Sequence, residues 1–313
     1  MKIVTHIDQI PRVQKPIALT IGCYDGVHLG HQTLFKELRK YTRKGGTNVI
    51  FTFSNHPSTL LTPEKPTSLI MLLEHRLHLL ESWGFHLAIL LPFDQNLANL
   101  PYNVFIRTLY ARLPFDYLLL GANAHFGKDR CGDSSAIYHL SKQLHFHAQY
   151  IPKETYHKEP ISSNRIRSSL AQGDLKRAKK MLARPYSIRI PFVQPIQESS
   201  IQYCLNLNFE DISTLPPAVY AVDIGKVPAI SFYRTIKNIH DQTRVSMTLY
   251  FEQKLPSTSH FILTFISYLH NEIDPDPNET CVETASLQSN PYLAPGLQTL
   301  CAIIRKNLQS SLP

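Results

Sequence analysis

Hydrophobic positions in the first part of the chain alternate between two kinds of run. Ile17-Ala18-Leu19-Thr20-Ile21 is a short apolar block ended by Gly22, which predicts a buried strand. Leu34, Phe35, Leu38 and Tyr41 then recur at helical spacing, and Gly45-Gly46 stops that helix. Residues 48–53 predict a second strand, 72–83 a helix, 87–91 a third strand, 104–112 another helix and 116–120 a fourth strand, ending at Gly121. Apolar strands separated by helices imply a parallel sheet with helices on both faces. Ligands bind such sheets beyond the carboxyl ends of the strands. The loops opened by Gly22, Pro57 and Gly121 are therefore expected to converge on one crevice.

The pattern changes near Arg184-Pro185. Ten of the 12 glycines and 12 of the 15 histidines precede it, so the residues suited to a phosphate site gather in 1–184. Beyond it lie β-rich runs such as Val219-Tyr220-Ala221-Val222 and Val245-Ser246-Met247-Thr248-Leu249-Tyr250-Phe251, punctuated by prolines. They predict a second, mostly antiparallel domain over 185–313, closed by a helix at 297–308.

Composition narrows the class. A chain of 313 residues holds one large or two ordinary domains, and 43% apolar with 18% charged residues supports a packed core rather than disorder. Five cysteines, odd in number and without C-x-x-C spacing, argue against a disulfide framework and a cysteine zinc site. Met1-Lys2-Ile3-Val4-Thr5-His6 has no long apolar core or cleavage site, and no run approaches the length of a membrane span. A cytoplasmic protein without membrane attachment is the simplest expectation. The net charge of +8 suits phosphates, nucleotides or nucleic acid and chooses none of them.

The sharpest chemical signal is Cys23-Tyr24-Asp25-Gly26-Val27-His28-Leu29-Gly30-His31, which runs from a strand into a helix start. Three residues apart on a first helical turn, His28 and His31 share a face. The unpaired amides of that turn and the helix dipole favour an anion there. Two imidazoles add donors, an arrangement suited to a triphosphate attacked at its α-phosphorus, where positioning and charge stabilisation do most of the work. Taken alone, an H-x-x-H pair is more often an exposed polar pair or half a metal site. Gly26, Gly30 and the buried strand favour the phosphate reading, and the absence of G-x-G-x-x-G disfavours a dinucleotide site.

Thr20-Ile21-Gly22-Cys23-Tyr24-Asp25-Gly26-Val27-His28-Leu29-Gly30-His31 resembles the H-x-G-H region of the bacterial bifunctional riboflavin kinase/FMN adenylyltransferases, or FAD synthetases. Three further segments agree. Thr52-Phe53-Ser54-Asn55-His56-Pro57 resembles the family's T-F-x-x-H-P loop. Gly121-Ala122-Asn123-Ala124-His125-Phe126-Gly127, followed by Arg130, Gly132 and Asp133, resembles its G-x-N/D-x-x-F-G segment, with Ala124 where an aromatic residue is frequent. Ile161-Ser162-Ser163-Asn164-Arg165-Ile166-Arg167 resembles I-S-S-T-x-x-R, with Asn164 for threonine. The resemblance implies a Rossmann-like nucleotidylyltransferase domain over 1–184 and a riboflavin-kinase-like β-barrel over 185–313. It implies the reaction FMN plus ATP to FAD plus pyrophosphate, with magnesium carried by ATP rather than by protein side chains. His28, His31 and Arg167 are then catalytic. Gly22, Asp25, Gly30, Ser162, Ser163 and Arg165 face ATP and its phosphates, and Asn123 and His56 face FMN. Bland readings stand beside several of these. Asp25 is alternatively a turn-stabilising residue, His56 a loop cap, Asn123 a turn residue, and Ser162 an ordinary helix cap beside solvent-facing arginines.

Arg184-Pro185-Tyr186-Ser187-Ile188 resembles the family's domain junction, and Pro216-Pro217-Ala218-Val219-Tyr220-Ala221-Val222 its P-x-G-V-Y-A strand. The kinase loop resembling G-F-P-T-A-N is missing, since residues 192–215 contain neither a glycine nor P-T-A-N. Ser246 stands where the family places a glutamate base, with Glu210 and Glu252 as the nearby alternatives. The barrel is therefore expected to persist without useful riboflavin kinase activity.

Other function classes remain open at this point. Eight Lys/Arg between residues 162 and 189 against one acid would suit a nucleic-acid backbone, although no aromatic platform accompanies them and a solvated basic face is more ordinary. A nucleotidylyltransferase for another phosphate acceptor, or a flavin-binding regulator, would carry the same first motif.

Overall fold

A computed structural model describes residues 1–191, 196–199, 202–210, 212–237, 243–251, 255 and 260–271. The helix expected at 297–308 lies outside them. The chain divides into two compact units, Met1–Arg165 with Met181–Ala183, and Ile166–Lys180 with Arg184–Pro313.

The first unit is built on a six-stranded parallel sheet. In chain order its elements begin β1 (Lys2–Val4), β2 (Ile17–Ile21), α1 (Leu29–Lys40), β3 (Thr47–Phe53), α2 (Ser58–Leu61), α3 (Leu73–Ser82) and β4 (Leu87–Leu91). There follow α4 (Gln95–Ala98), α5 (Tyr102–Arg112), β5 (Tyr117–Gly121), α6 (Ser134–Leu144), β6 (His147–Ile151) and a small hairpin, β7 (Thr155–Tyr156) and β8 (Glu159–Pro160). The helix α7 (Ser163–Ala171) starts in this unit, and α8 (Leu175–Leu182) ends in it.

Residue alternation along the strands fixes which helices cover which face. Ile17, Leu19 and Ile21 of β2 pack with Val49, Phe51, Leu118 and Leu120 against Phe105, Ile106 and Leu109 of α5 and Ile137 of α6. The intervening Ala18, Ile50, Ala88 and Leu119 pack against Leu34, Phe35 and Leu38 of α1 and Leu80 of α3. Both faces are thus apolar, as a doubly covered parallel sheet requires. The strand order β1-β4-β3-β2-β5-β6 places β2 between β3 and β5. After β2 the chain builds outward on one side through β3 and β4, then returns to the other side at β5. The carboxyl ends of β2 and β5 therefore form the switch point where this architecture opens a crevice.

The second unit carries a seven-stranded antiparallel sheet. Its strands are β9 (Ser187–Pro191), β10 (Ile196–Ser199), β11 (Gln202–Glu210), β12 (Ala218–Ile224), β13 (Val227–Lys237), β14 (Thr243–Phe251) and β15 (His260–Asn271), in the order β10-β11-β14-β13-β12-β15-β9. This is the small antiparallel barrel fold that the β-rich pattern predicts. Tyr220, Tyr233, Phe251 and Phe265 fill its interior, each under 2% exposed. The Tyr233 hydroxyl accepts from the amide of Leu215 at 3.0 Å, which satisfies a polar atom inside an apolar core. Burial pushes that phenol well above its ordinary value. No helix among the described residues is long and apolar enough to cross a membrane.

Candidate active site

The loop after β2 sets the site, and its backbone is unusual. Tyr24, Gly26 and Val27 have φ values of 52°, 83° and 40°. A left-handed valine is costly, about 1–3 kcal/mol, and persists only where its surroundings determine it. Several bonds do so here. The Asp25 carboxylate, 2% exposed, accepts from the amides of Ile70 and Met71 at 3.0–3.3 Å. Gln32 on α1 donates to the Val27 carbonyl and to the Leu182 carbonyl, both at 2.8 Å. Arg76, buried on α3, donates to the Cys23 carbonyl at 3.0 Å and to the Phe53 carbonyl, joining the loops after β2 and β3. Burial lowers the guanidinium's affinity for its proton, and neighbouring Asp25 acts the other way.

This loop delivers His28 as the residue that caps α1. Its Nδ1 accepts from the His31 amide at 3.4 Å. The two imidazoles stack, with centroids 3.6 Å apart and planes 17° from parallel, and Tyr24 meets His31 edge-on at 5.1 Å. The glycines clear room for these rings. A Cβ on Gly30 would come within 3.3 Å of the His28 ring, and one on Gly22 within 2.9 Å of Tyr24.

A cavity of about 320 Å³ opens at the switch point, lined by Gly22, His28, Gly30, His31, Asn123, Ser162 and Ser163 among others. These residues come from the loops after β2, β5 and β6 and the start of α7. The lining contains no aspartate or glutamate and one Lys or Arg, Lys153. Such a wall favours an anion. A second cavity of about 790 Å³ shares Ile21, Gly22, Cys23, Asn123 and Ala124 with the first. Phe53, Phe93, Leu97, Leu100, Phe105 and Phe126 give it an apolar wall, with His125, Lys128 and Arg130 at its polar side. The loop that carries these last residues is closed by the bridge between Phe126 and Gly132.

Seven of the residues singled out from the sequence thus line one cavity. The others lie elsewhere. The Asp25 carboxylate is engaged with backbone amides, the turn-stabilising alternative. The His56 imidazole pairs with the Ser58 hydroxyl at 2.7 Å and accepts from the Ser58 amide at 3.2 Å, in the manner of a loop cap before α2. Arg165 is committed to the hairpin, donating to the carbonyls of Tyr156, Glu159 and Pro160 and pairing with the Glu159 carboxylate at 2.9 Å. Ser162 caps α7 by accepting from the Arg165 amide at 3.3 Å, and the Ser163 hydroxyl donates to the Asp25 carbonyl at 2.9 Å. Arg167 falls in the second unit. Gln32, Arg76 and Lys153 were not picked out in the sequence, because no local spacing announces a partner that lies far along the chain.

In the second unit, Ser246 lies in β14 opposite Asn208 and Arg234. Its neighbours Val245 and Met247 point into the core, so Ser246 faces away from it. Within residues 192–215, where the resemblance expects the kinase loop, the described residues include β10 and β11, and Glu210 ends β11. Glu252 is outside the described residues.

Comparison with known proteins agrees with this geometry. A family model described as FAD synthetase matches residues 10–165. The bifunctional riboflavin kinase/FMN adenylyltransferase of Buchnera aphidicola subsp. Schizaphis graminum is 28% identical over 230 residues, covering 72% of this chain and 74% of that protein. The protein of the same name from Haemophilus influenzae is 31% identical over 190 residues, 60% of this chain and 62% of its own length. The crystal structure of a macrolide-efflux protein from Streptococcus pneumoniae shares the fold, with a TM-score of 0.72 at 19% identity over 93% of this chain and 98% of that one. Through residues 10–165, which build both cavities almost entirely, the chain belongs to the FAD synthetase family.

Proposed function

We propose that the chain transfers AMP from ATP to FMN, forming FAD and releasing pyrophosphate, in the cytoplasm. The observation that carries this reading is the pairing of cavities. A pocket without carboxylates, headed by two helix starts and two imidazoles, adjoins a larger apolar and aromatic pocket across a shared wall at residues 21–23 and 123–124. The first suits a triphosphate and the second a flat flavin ring. An FMN phosphate oxygen attacks the α-phosphorus. The bond from that phosphorus to the bridging oxygen breaks, and pyrophosphate departs with the electron pair. His28 and His31 stabilise the charge that develops at the amino end of α1. Ser162, Ser163 and Arg167 belong to the segment that would hold the departing pyrophosphate, the serines through the amides at the start of α7. Asn123, on the wall between the cavities, is placed to contact FMN. Magnesium would be carried by the phosphate oxygens of ATP and would neutralise their charge, since the cavity lining offers it no carboxylate. Asp25 and Arg165 serve the reaction through the backbone they hold.

The reading assigns adenylyl transfer to residues 1–184 and a kinase-like barrel without kinase activity to 185–313. The test is FAD formation from FMN, ATP and magnesium by the wild type beside His31→Ala. Loss of this donor should lower kcat by roughly 100-fold or more, as for removal of a single transition-state donor. A wild type that makes no FAD would overturn the reading.

A further inference from the structure

The arginine nearest the phosphate-binding motif in sequence, Arg165, is spent on the hairpin that precedes it. That leaves the cavity wall with one Lys or Arg side chain, Lys153. Its backbone is fixed although its side chain is exposed. On one side, the Ile151 carbonyl accepts from the Ala122 amide at 2.9 Å, which ties the end of β6 to the loop after β5. On the other, the Glu154 carbonyl accepts from the Ile161 amide at 2.8 Å, and the Glu154 carboxylate accepts from the Thr33 hydroxyl on α1 at 2.8 Å. The adjacent carboxylate thus bonds to α1 and is not part of the cavity lining. Among the described residues the Lys153 ammonium makes no hydrogen bond or ion pair. An uncommitted ammonium on a fixed backbone, at the rim of a cavity without carboxylates, is arranged for a multiply charged anion.

We infer that Lys153 binds the pyrophosphate portion of the nucleotide, stabilising the leaving group of the transfer. The identity of that anion rests on the adenylyl-transfer reading. The anion-binding role itself rests on the cavity wall. Lysine suits the task because its point charge and flexible stem follow a group that moves as the bond breaks, whereas the rigid Arg165 fork holds the hairpin still.

The experiment uses the full chain and magnesium pyrophosphate as the probe, titrated calorimetrically into wild type, Lys153→Ala and Lys153→Arg. The alanine variant should bind pyrophosphate roughly tenfold more weakly, and the arginine variant within about threefold of wild type. In the FMN and ATP assay, KM for ATP should rise in Lys153→Ala while KM for FMN stays unchanged, a split that a general loss of structure does not produce. Pyrophosphate affinity and KM for ATP both within about twofold of wild type in Lys153→Ala would overturn the inference. If the wild type makes no FAD and pyrophosphate binding still depends on Lys153, the adenylyl-transfer reading falls and the role of Lys153 as an anion contact stands.

Discussion

Val27 shows what individual residues contribute to this site. A branched side chain at φ 40° is held by Gln32, whose amide reaches both the Val27 and Leu182 carbonyls. Gln32→Leu would keep most of the side chain's bulk and remove both hydrogen bonds, at a net cost of about 0.5–1.5 kcal/mol each. We expect a lower Tm and a fall in kcat of about tenfold or more, because a shift of the loop moves His28 away from its productive position. A variant with wild-type kcat would show that the left-handed turn does not depend on this amide. Arg76 acts similarly at longer range. Arg76→Ala should cost about 2–4 kcal/mol in urea unfolding, from two lost bonds to a charged donor. Arg76→Lys cannot span both carbonyls with a fork and should recover less than half of that. Unfolding midpoints equal to wild type in both would count against the clamp. The sequence displayed the histidines and glycines openly, since they are unusual types at meaningful spacing. It displayed Asp25 and Arg165 equally well, yet not where their polar atoms point. The resemblance turns both toward phosphate, whereas in the fold Asp25 takes its turn-stabilising alternative on the amides of Ile70 and Met71, and Arg165 holds the carbonyls and the Glu159 carboxylate of the hairpin.

At the scale of elements, legibility followed burial. β2, enclosed on both sides in the sheet, begins and ends where its apolar run does, at Ile17 and Ile21. β6, His147–Ile151, is an edge strand with mostly partly exposed residues and has no such run, so the pattern did not announce it. Its position still matters to function, because it carries the chain to Lys153. The loop between β5 and α6 makes a comparable point about glycine. Gly127 has φ 69°, and a Cβ there would lie 2.3 Å from the Tyr102 amide nitrogen at the start of α5. Gly127→Ala must therefore push the loop off α5, and with it the Lys128 and Arg130 side of the larger cavity. We expect KM for FMN to rise by about tenfold or more and KM for ATP to rise less, since the histidine cavity takes only residues 121–124 from this loop and the larger cavity takes 123–130. Equal rises in both constants would show that the two cavities are not independently assembled.

For the whole molecule, the question is whether one chain performs both reactions for which its relatives are named. Phosphorylation of the riboflavin hydroxyl needs a group that accepts its proton and a loop that holds ATP and magnesium. By the resemblance Ser246 stands at the position of that carboxylate, and an unaided serine hydroxyl does not take up a proton near neutral pH. The residues from 192 to 215 lack the glycine and the threonine–asparagine pair that the loop needs. These losses lie on different strands, so a single reversal does not repair the site. We therefore expect no FMN from riboflavin, ATP and magnesium under conditions where the same preparation converts added FMN to FAD. Ser246→Glu should remain inactive for riboflavin, because restoring the base leaves the phosphate loop absent. Rapid FMN formation by the wild type would show that another carboxylate, such as Glu210, serves as base. If it does not form, the barrel holds its packed interior of Tyr220, Tyr233, Phe251 and Phe265 without kinase chemistry. The chain then depends on a separate ATP-dependent phosphorylation of the riboflavin hydroxyl for its substrate, and its FAD output should follow the FMN supplied to it.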